Sequence, residues 1–149
     1  MEKNKKKSTQ TIGNKRANYD YTILETEIVG VILVGSEVGP LRAGKAQITE
    51  SFVYIDIDTN SIYIKNMYIK NDLNSAYTHT ELRDRKLLMT KKQISKWSKK
   101  METEKLTIVP IRAYFDNKQK FKMEIGLAKG KKLFEKRDKI LKKDIDREN

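Results

Sequence analysis

The chain has 149 residues, about the size of one domain and long enough to bury a single hydrophobic core. Lys and Arg number 32 against 20 Asp and Glu, so the net charge of +12 favours a polyanionic partner: RNA, DNA or an acidic membrane. The absence of Cys excludes disulfide bonds and thiolate metal sites and is compatible with a reducing compartment. No apolar run follows the charged start MEKNKKKSTQ, so we expect no secretory signal, no membrane anchor and a cytoplasmic location.

The first part of the chain predicts a basic arm followed by strands. Residues 1–13 are polar and without periodicity, so we expect them to be disordered. In NKRANYDYTIL, Tyr19, Tyr21 and Ile23 alternate with polar residues, which predicts a half-buried strand. Residues 28–35 are apolar and mostly β-branched, and Gly30 among them indicates a bulge or a barrel corner.

A short helix and a hairpin are predicted next. Pro40 suits the first turn of a helix in SEVGPLRAGKA, and Gly44 can end that helix in a left-handed conformation. ESFVYIDID and SIYIKNMYI alternate with period two on either side of DTNS, which predicts a hairpin.

A polar loop and a second helix follow. Residues 70–81 have no clear pattern and predict a long surface loop in which His79 is solvated. Thr90 and Gln93 have the spacing of a capping box, and an apolar residue recurs at helical intervals after them. Residues 90–104 therefore predict a helix.

The last pair of strands completes the predicted fold. LTIVPIRAYF and KFKMEIGLA flank a turn at DNKQ, with the odd-numbered residues of each strand on one face, and Pro110 requires an edge or a bulge. About six antiparallel strands with two or three short helices predict a mainly β fold. Residues 14–128 are expected to form a small closed OB-like β-barrel between disordered basic N- and C-terminal tails.

Residues 129–149 are expected to form the C-terminal tail. They are highly charged and carry only a thin apolar stripe, and an isolated helix of this length is marginal in water. We expect this tail to be disordered when free and to fold on a partner. Gly130 is expected to let the chain turn away from the last strand.

Enzymatic chemistry has little support in the sequence. The single histidine has no second His or Cys with which to form a nucleophile pair or a metal site. Neither LRAGKA nor LAKGKK has the spacing of a phosphate-binding loop. We expect no catalysis, metal or cofactor, and a nuclease or RNA-modifying enzyme is the third-ranked interpretation.

Clusters of Arg and Lys at predicted strand ends and loops favour binding chemistry. Such side chains bind phosphates, and the aromatic residues near them in sequence could stack on bases. The competing interpretations are a solvated charged face for the cations and burial in the core for the aromatics.

Six segments resemble, in order and spacing, the blocks of the SsrA-binding protein family, also called small protein B: NKRANYDY, GSEVGPLRAGKA, ESFVYID, NMYI, LRDRKLLM and LAKGKKLFEKR. The resemblance covers residues 14–137 and implies a monomeric, non-catalytic RNA-binding factor of trans-translation. Such a factor binds the tRNA-like domain of transfer-messenger RNA (tmRNA). It brings this RNA, charged with alanine and carried by elongation factor Tu, to the A site of stalled ribosomes for rescue and peptide tagging.

The resemblance also implies functional residues. Positions that match the RNA-binding face are Lys15, Arg16, Tyr21, Arg42, Lys45, Arg83, Arg85, Lys86 and Leu88. The tail would become helical in the empty mRNA channel, near the decoding centre of the small subunit. Positions that match this ribosome-binding tail are Lys129, Lys131, Lys132, Phe134, Lys136 and Arg137.

Two points stay open at this stage. The family has a functional Glu where this chain has Ile28, and Glu27 could replace it only if a bulge shifts the register, because neighbouring strand residues point to opposite faces. The alternative function is a general OB-fold RNA-binding or ribosome-assembly protein, since a fold does not fix a function.

Overall fold

A computed structural model describes residues 11–71 and 78–131, which are mainly β with three helices. The strands are β1 Ile12–Gly13, β2 Tyr21–Val31, β3 Ala46–Gln47, β4 Phe52–Asp56, β5 Ser61–Lys65, β6 Tyr68–Ile69, β7 Arg85–Leu88, β8 Thr107–Phe115 and β9 Phe121–Gly130. The helices are α1 Ala17–Asp20, α2 Gly35–Arg42 and α3 Lys91–Thr103. None of these helices is both long enough and apolar enough to cross a membrane.

All strand pairs are antiparallel, and the main series of pairs returns to its first strand. From β8 the neighbours are β4, β5, β7, β2 and β9, and β9 pairs with β8 again. The β4–β8 contact is a single residue pair, Val53 with Ile108, so it is the narrowest part of this series. Strand β1 is added beside β8, and β3 pairs with β6 in a separate two-stranded sheet.

Strand β2 is one continuous strand, whereas the sequence predicted a strand in NKRANYDYTIL and a separate one at residues 28–35. Its eleven residues pair with β9 from Tyr21 to Gly30 and then with β7 through Gly30 and Val31. The prediction that Tyr19 belongs to a strand is wrong, because Tyr19 lies in helix α1. The register shift falls between Ile23 and Glu25 and not at Gly30.

Both predicted boundaries of the central domain need correction. Ile12 is buried and pairs with Ala113, so ordered structure begins before residue 14. At the other end Lys129 and Gly130 still belong to β9, opposite Thr22 and Tyr21, so the domain does not end at residue 128. Both ends of the domain are extended by hydrogen bonding between backbone segments. The pattern of side chains in the sequence does not reveal such pairing. Residues 1–10 and 132–149 lie outside the described residues.

Helix α2 confirms the prediction of a short helix but not the position of its proline. Pro40 is the sixth of eight helical residues and not part of the first turn. Gly44 has a φ of 74°, and it ends the helix as predicted. The N–H of Lys45 donates to the Pro40 carbonyl at 2.8 Å and that of Gly44 to the Leu41 carbonyl at 3.1 Å, the two bonds of a Schellman motif.

Helix α3 is confirmed and packs on β2. The Thr90 side chain accepts from the backbone N–H of Gln93 at 3.2 Å, whereas the Gln93 side chain donates to Glu27 instead of closing the capping box. Trp97 is fully buried, and its Nε1–H donates to Glu25 at 3.2 Å. Two carboxylates in the middle of β2 are therefore satisfied by the helix.

The two predicted hairpins, β4–β5 and β8–β9, are confirmed, except that the end of the segment SIYIKNMYI forms β6 and pairs with β3 instead. A register shift between Pro110 and Arg112 supplies the bulge that Pro110 was expected to need. This bulge makes the predicted single apolar face of β8 wrong. Ala113 lies in the main core, whereas Val109 belongs to a second cluster with Ala17.

Gly44 and Gly130 provide a matched test of where glycine is required. Gly44→Ala should lower the free energy of unfolding by about 1–2 kcal/mol, because a Cβ is strained in the left-handed region. Gly130→Ala should change it by less than about 0.5 kcal/mol, because a Cβ there meets nothing within 4 Å. Urea unfolding followed by circular dichroism measures both. Equal losses would contradict the distinction.

Candidate nucleic-acid interface

A buried ionic cluster joins helix α2 to strand β7. Glu37 and Arg85 are fully buried, and Arg85 Nη2 lies 2.6 Å from Glu37 Oε2. Arg83, whose side chain is 28% exposed, contacts the other oxygen, Oε1, at 2.9 Å. Arg85 Nη1 also donates to the Met67 carbonyl at 2.6 Å. Arg85 was expected on the RNA-binding face, but its side chain points inward from β7 and donates to groups inside the protein.

The Glu37 carboxylate is charged at neutral pH. Burial by itself would raise the pKa of Glu37, but hydrogen bonds from Arg85, from Arg83 and from the Val34 N–H outweigh burial and lower it below its ordinary value. Two arginines therefore share one carboxylate, and the cluster carries one excess positive charge.

The outer face of β7 presents a cation beside an apolar patch. Lys86 is exposed, and Leu88 is 57% exposed opposite Gly30. Ile28, 53% exposed, and Ile32 lie on either side of Gly30, and we call Ile28, Ile32 and Leu88 the apolar patch. Residues 28–35 are apolar at odd and even positions alike, so the sequence did not show which of them would be exposed.

The register of β2 answers the open question about Glu27. From Glu25 to Gly30 the pairing with β9 has no shift, and the Glu27 side chain accepts from Gln93 of helix α3. Ile28 points to the outer face, where its partner Glu124 binds Arg112 at 2.8 Å. Glu27 therefore faces α3 and does not replace a carboxylate at position 28.

The first group of predicted functional residues lies at the start of β2. Arg16 is exposed and contacts Asp20 at 3.1 Å and Glu50 at 3.3 Å. Lys131 Nζ donates to the Asn18 carbonyl at 2.7 Å. The members of this N-terminal group are Lys15, Arg16, Tyr21, Lys129 and Lys131.

The second group lies at the other end of β2. Arg42 places its guanidinium 4.3 Å from the centre of the Phe115 ring and donates to Gln119 at 2.6 Å, at the tip of the β8–β9 hairpin. That tip is close to the end of β2, because Gly30 pairs with Lys122. The members of this β7 group are Arg42, Arg83, Lys86 and Leu88.

The predicted RNA-binding residues thus occupy two regions and not one surface. Tyr21 and Gly30 are nine residues apart on one strand, roughly 30 Å at the usual rise. Lys15, Arg16 and Tyr21 share their region with the predicted ribosome-binding residues Lys129 and Lys131. Lys45 is exposed just after α2. Lys132, Phe134, Lys136 and Arg137 lie outside the described residues.

His79 is not the solvated loop histidine that was predicted. Its ring is half-buried, with Nε2 2.8 Å from the Ile69 carbonyl and Nδ1 2.9 Å from Ser36 Oγ. A carbonyl only accepts hydrogen bonds, so we assign the proton to Nε2 and let Nδ1 accept from the Ser36 hydroxyl.

A small basic protein with a mainly β fold and exposed cations at both ends of one long strand has the features of a nucleic-acid-binding protein. The chain matches the family described as SmpB protein over residues 11–149. It is 38% identical over 144 residues to the SsrA-binding protein of Bacteroides thetaiotaomicron, covering 96% of this chain and 95% of the relative. Identity to the SsrA-binding protein of Campylobacter jejuni is 44% over 137 residues, covering 91% and 90%. The chain belongs to the SmpB protein family.

A solved structure agrees with this assignment. A chain from "tmRNA-SmpB: a journey to the center of the bacterial ribosome" has a TM-score of 0.67 and 39% sequence identity, and the match covers 83% of this chain and 85% of the solved one. The shared fold is therefore supported by both sequence and backbone geometry.

Glu37→Gln should destabilise the fold by about 3–5 kcal/mol, because it leaves the buried Arg85 without an opposite charge. The folded-state pKa of Glu37 lies below 4.5, so the stability that its charge contributes is complete above about pH 4.5 and is lost as the pH falls further. Urea unfolding at several pH values measures both effects. Glu50→Gln, at an exposed ion pair, is the control, and an equal loss there would count against a special role for Glu37.

Proposed function

We propose that the protein binds tmRNA and acts with it on the ribosome in trans-translation. The observation that carries this proposal is the match to the SmpB family over residues 11–149, joined by the likeness to a solved chain described together with tmRNA and the bacterial ribosome. The net charge of +12 supports a polyanionic partner, because each phosphate contact releases a bound counterion from the RNA. The role is one of binding and not of catalysis.

The domain that holds the RNA is a closed OB-like barrel in this proposal. The return of the strand pairing from β9 to β8 supports closure. A closed sheet keeps side chains on neighbouring strands at fixed separations, so exposed groups can match a folded RNA without a large ordering cost. The RNA element is the tRNA-like domain of tmRNA.

The β7 group supplies contacts to that domain. The Lys86 side chain is exposed and has no partner among the described residues, so it can bind a phosphate oxygen, while the apolar patch beside it suits exposed faces of nucleotides. Arg85 contributes indirectly, because it holds β7 and α2 in place.

Lys129, Lys131 and the C-terminal segment act on the ribosome in this proposal, while Lys15, Arg16 and Tyr21 beside them are candidates for contacts to tmRNA. Lys129 and Lys131 are fixed beside α1 by β9, so the 18 residues that follow start from a defined position. In the proposal this segment enters the empty mRNA channel near the decoding centre. The protein works as a cytoplasmic monomer, and elongation factor Tu carries alanyl-tmRNA in the same complex.

Lys86→Gln should weaken binding to the tRNA-like domain and reduce the slope of log affinity against log salt by about one, because one phosphate contact is lost. Filter binding at several salt concentrations measures the slope. Lys99→Gln, an exposed cation on α3, is the matched control and should leave the slope unchanged. Should the wild type bind tmRNA no better than an unrelated stem-loop at physiological salt, a general RNA-binding protein becomes the better interpretation.

Removing residues 137–149 should leave tmRNA affinity unchanged and abolish peptide tagging on stalled ribosomes, because the barrel holds the RNA and the tail engages the ribosome. Binding and tagging assays on the same preparation separate the two activities. A parallel loss of both would mean that the tail is part of the RNA-binding surface.

A further inference from the structure

A cleft of about 520 Å³ lies between the start of helix α2 and the segment that leads into β7. Val34, Ser36, His79, Thr80 and Arg83 are among the residues of its wall. This volume is within the range of small-ligand pockets. Arg83 belongs to the β7 group, and the other four residues have no part in the contacts proposed above.

The wall of the cleft is mainly apolar but includes several hydrogen-bond donors. Gly35 and Ser36 are the first two residues of α2, whose backbone N–H groups have no partner within a helix. Thr80 adds a hydroxyl group. Arg83 donates to Glu37 through Nε and Nη2, to the Ile32 carbonyl through Nη2 and to the Asp84 carbonyl through Nη1, which leaves one Nη1 hydrogen.

The ionic cluster that reaches the cleft through Arg83 carries an excess positive charge. Glu37 neutralises only one of Arg83 and Arg85, and a charge held at the protein surface next to a low-dielectric interior acts more strongly than one in water. The nearest carboxylates in sequence are engaged elsewhere: Glu81 accepts from the Asn71 N–H at 3.0 Å and Asp84 from the Tyr54 hydroxyl at 2.7 Å. No acidic side chain belongs to the described wall.

We propose that this cleft binds a phosphate group, held by Arg83, Thr80 and the first N–H groups of α2. Donors surrounding an excess positive charge match the three or more acceptor oxygens of a phosphate. The bond from Ser36 to His79 fixes this edge of the cleft, because His79 is itself fixed by the Ile69 carbonyl. The phosphate comes from the RNA backbone, and this choice of source rests on the proposed function, whereas the site itself does not.

Titration of the ¹⁵N-labelled full chain with inorganic phosphate, at constant ionic strength set by chloride, tests the site. We expect saturable shifts of the amide resonances of Gly35, Ser36, Thr80 and Arg83. Arg83→Gln removes the excess charge while Glu37 keeps Arg85, and it should weaken phosphate binding at least about ten-fold. Ser36→Trp should fill the cleft with a larger side chain, and it should weaken phosphate binding as much as Arg83→Gln does.

Arg112→Gln is the matched control, because Arg112 is an exposed arginine paired with Glu124 outside the cleft. Its affinity for phosphate should equal that of the wild type. Shifts that do not saturate would overturn the proposal, as would equal affinity in Arg83→Gln. If Arg83→Gln fails to fold, retained binding in Ser36→Trp overturns it and loss of binding supports it.

Two further titrations identify the source of the phosphate. The tRNA-like domain should displace inorganic phosphate from the wild type, whereas displacement by adenosine monophosphate and not by RNA would overturn the RNA source and leave the site intact. If phosphate binds and tmRNA does not bind at all, the proposed function fails and the phosphate site stands. The two proposals can therefore fail separately.

Discussion

The buried contact between Glu37 and Arg85 is the interaction on which the arrangement of this protein depends. Removing two charges from water is costly, and the cost is offset here by direct contact, by a second arginine and by a backbone carbonyl. Because these bonds are directional, helix α2 has one position relative to strand β7. That position sets the wall of the cleft at one end of the helix and places Arg42 on Phe115 at the other.

Strand β2 sets the distance between the two groups of exposed cations. It pairs along its length with β9 and at its end with β7, while helix α3 satisfies the carboxylates in its middle. An extended strand has a fixed rise, so the two groups of exposed cations are held far apart at its ends. This separation suits the proposed contacts with tmRNA and the ribosome. The fold supplies this separation without a second domain.

Local patterns predicted those elements whose stability is local. The hairpins β4–β5 and β8–β9 and helix α3 follow from period-two alternation, from a turn and from the cap at Thr90. The sequence did not reveal the burial of Arg85, because a basic residue in the run LRDRKLLM looks like a surface cation. Its partner Glu37 is 48 positions earlier. The pairing of Ile12 with β8 was missed for the same reason, since the partner strand is remote in sequence.

Composition and motif order by themselves determined the family, the mainly β class and the preference for a polyanion. Net charge is a sum over residues, and the motifs and strand patterns are local segments of the chain, so none of them needs the tertiary structure. Tertiary structure alone decided which cations are available to a ligand. Lys86 and Arg85 are neighbours in the chain, yet β7 exposes the first and buries the second, because successive strand residues face opposite sides of a sheet. It also decided that Lys15 and Arg16 lie with Lys129 and Lys131, because the antiparallel pairing of β2 with β9 brings the two ends of the domain together.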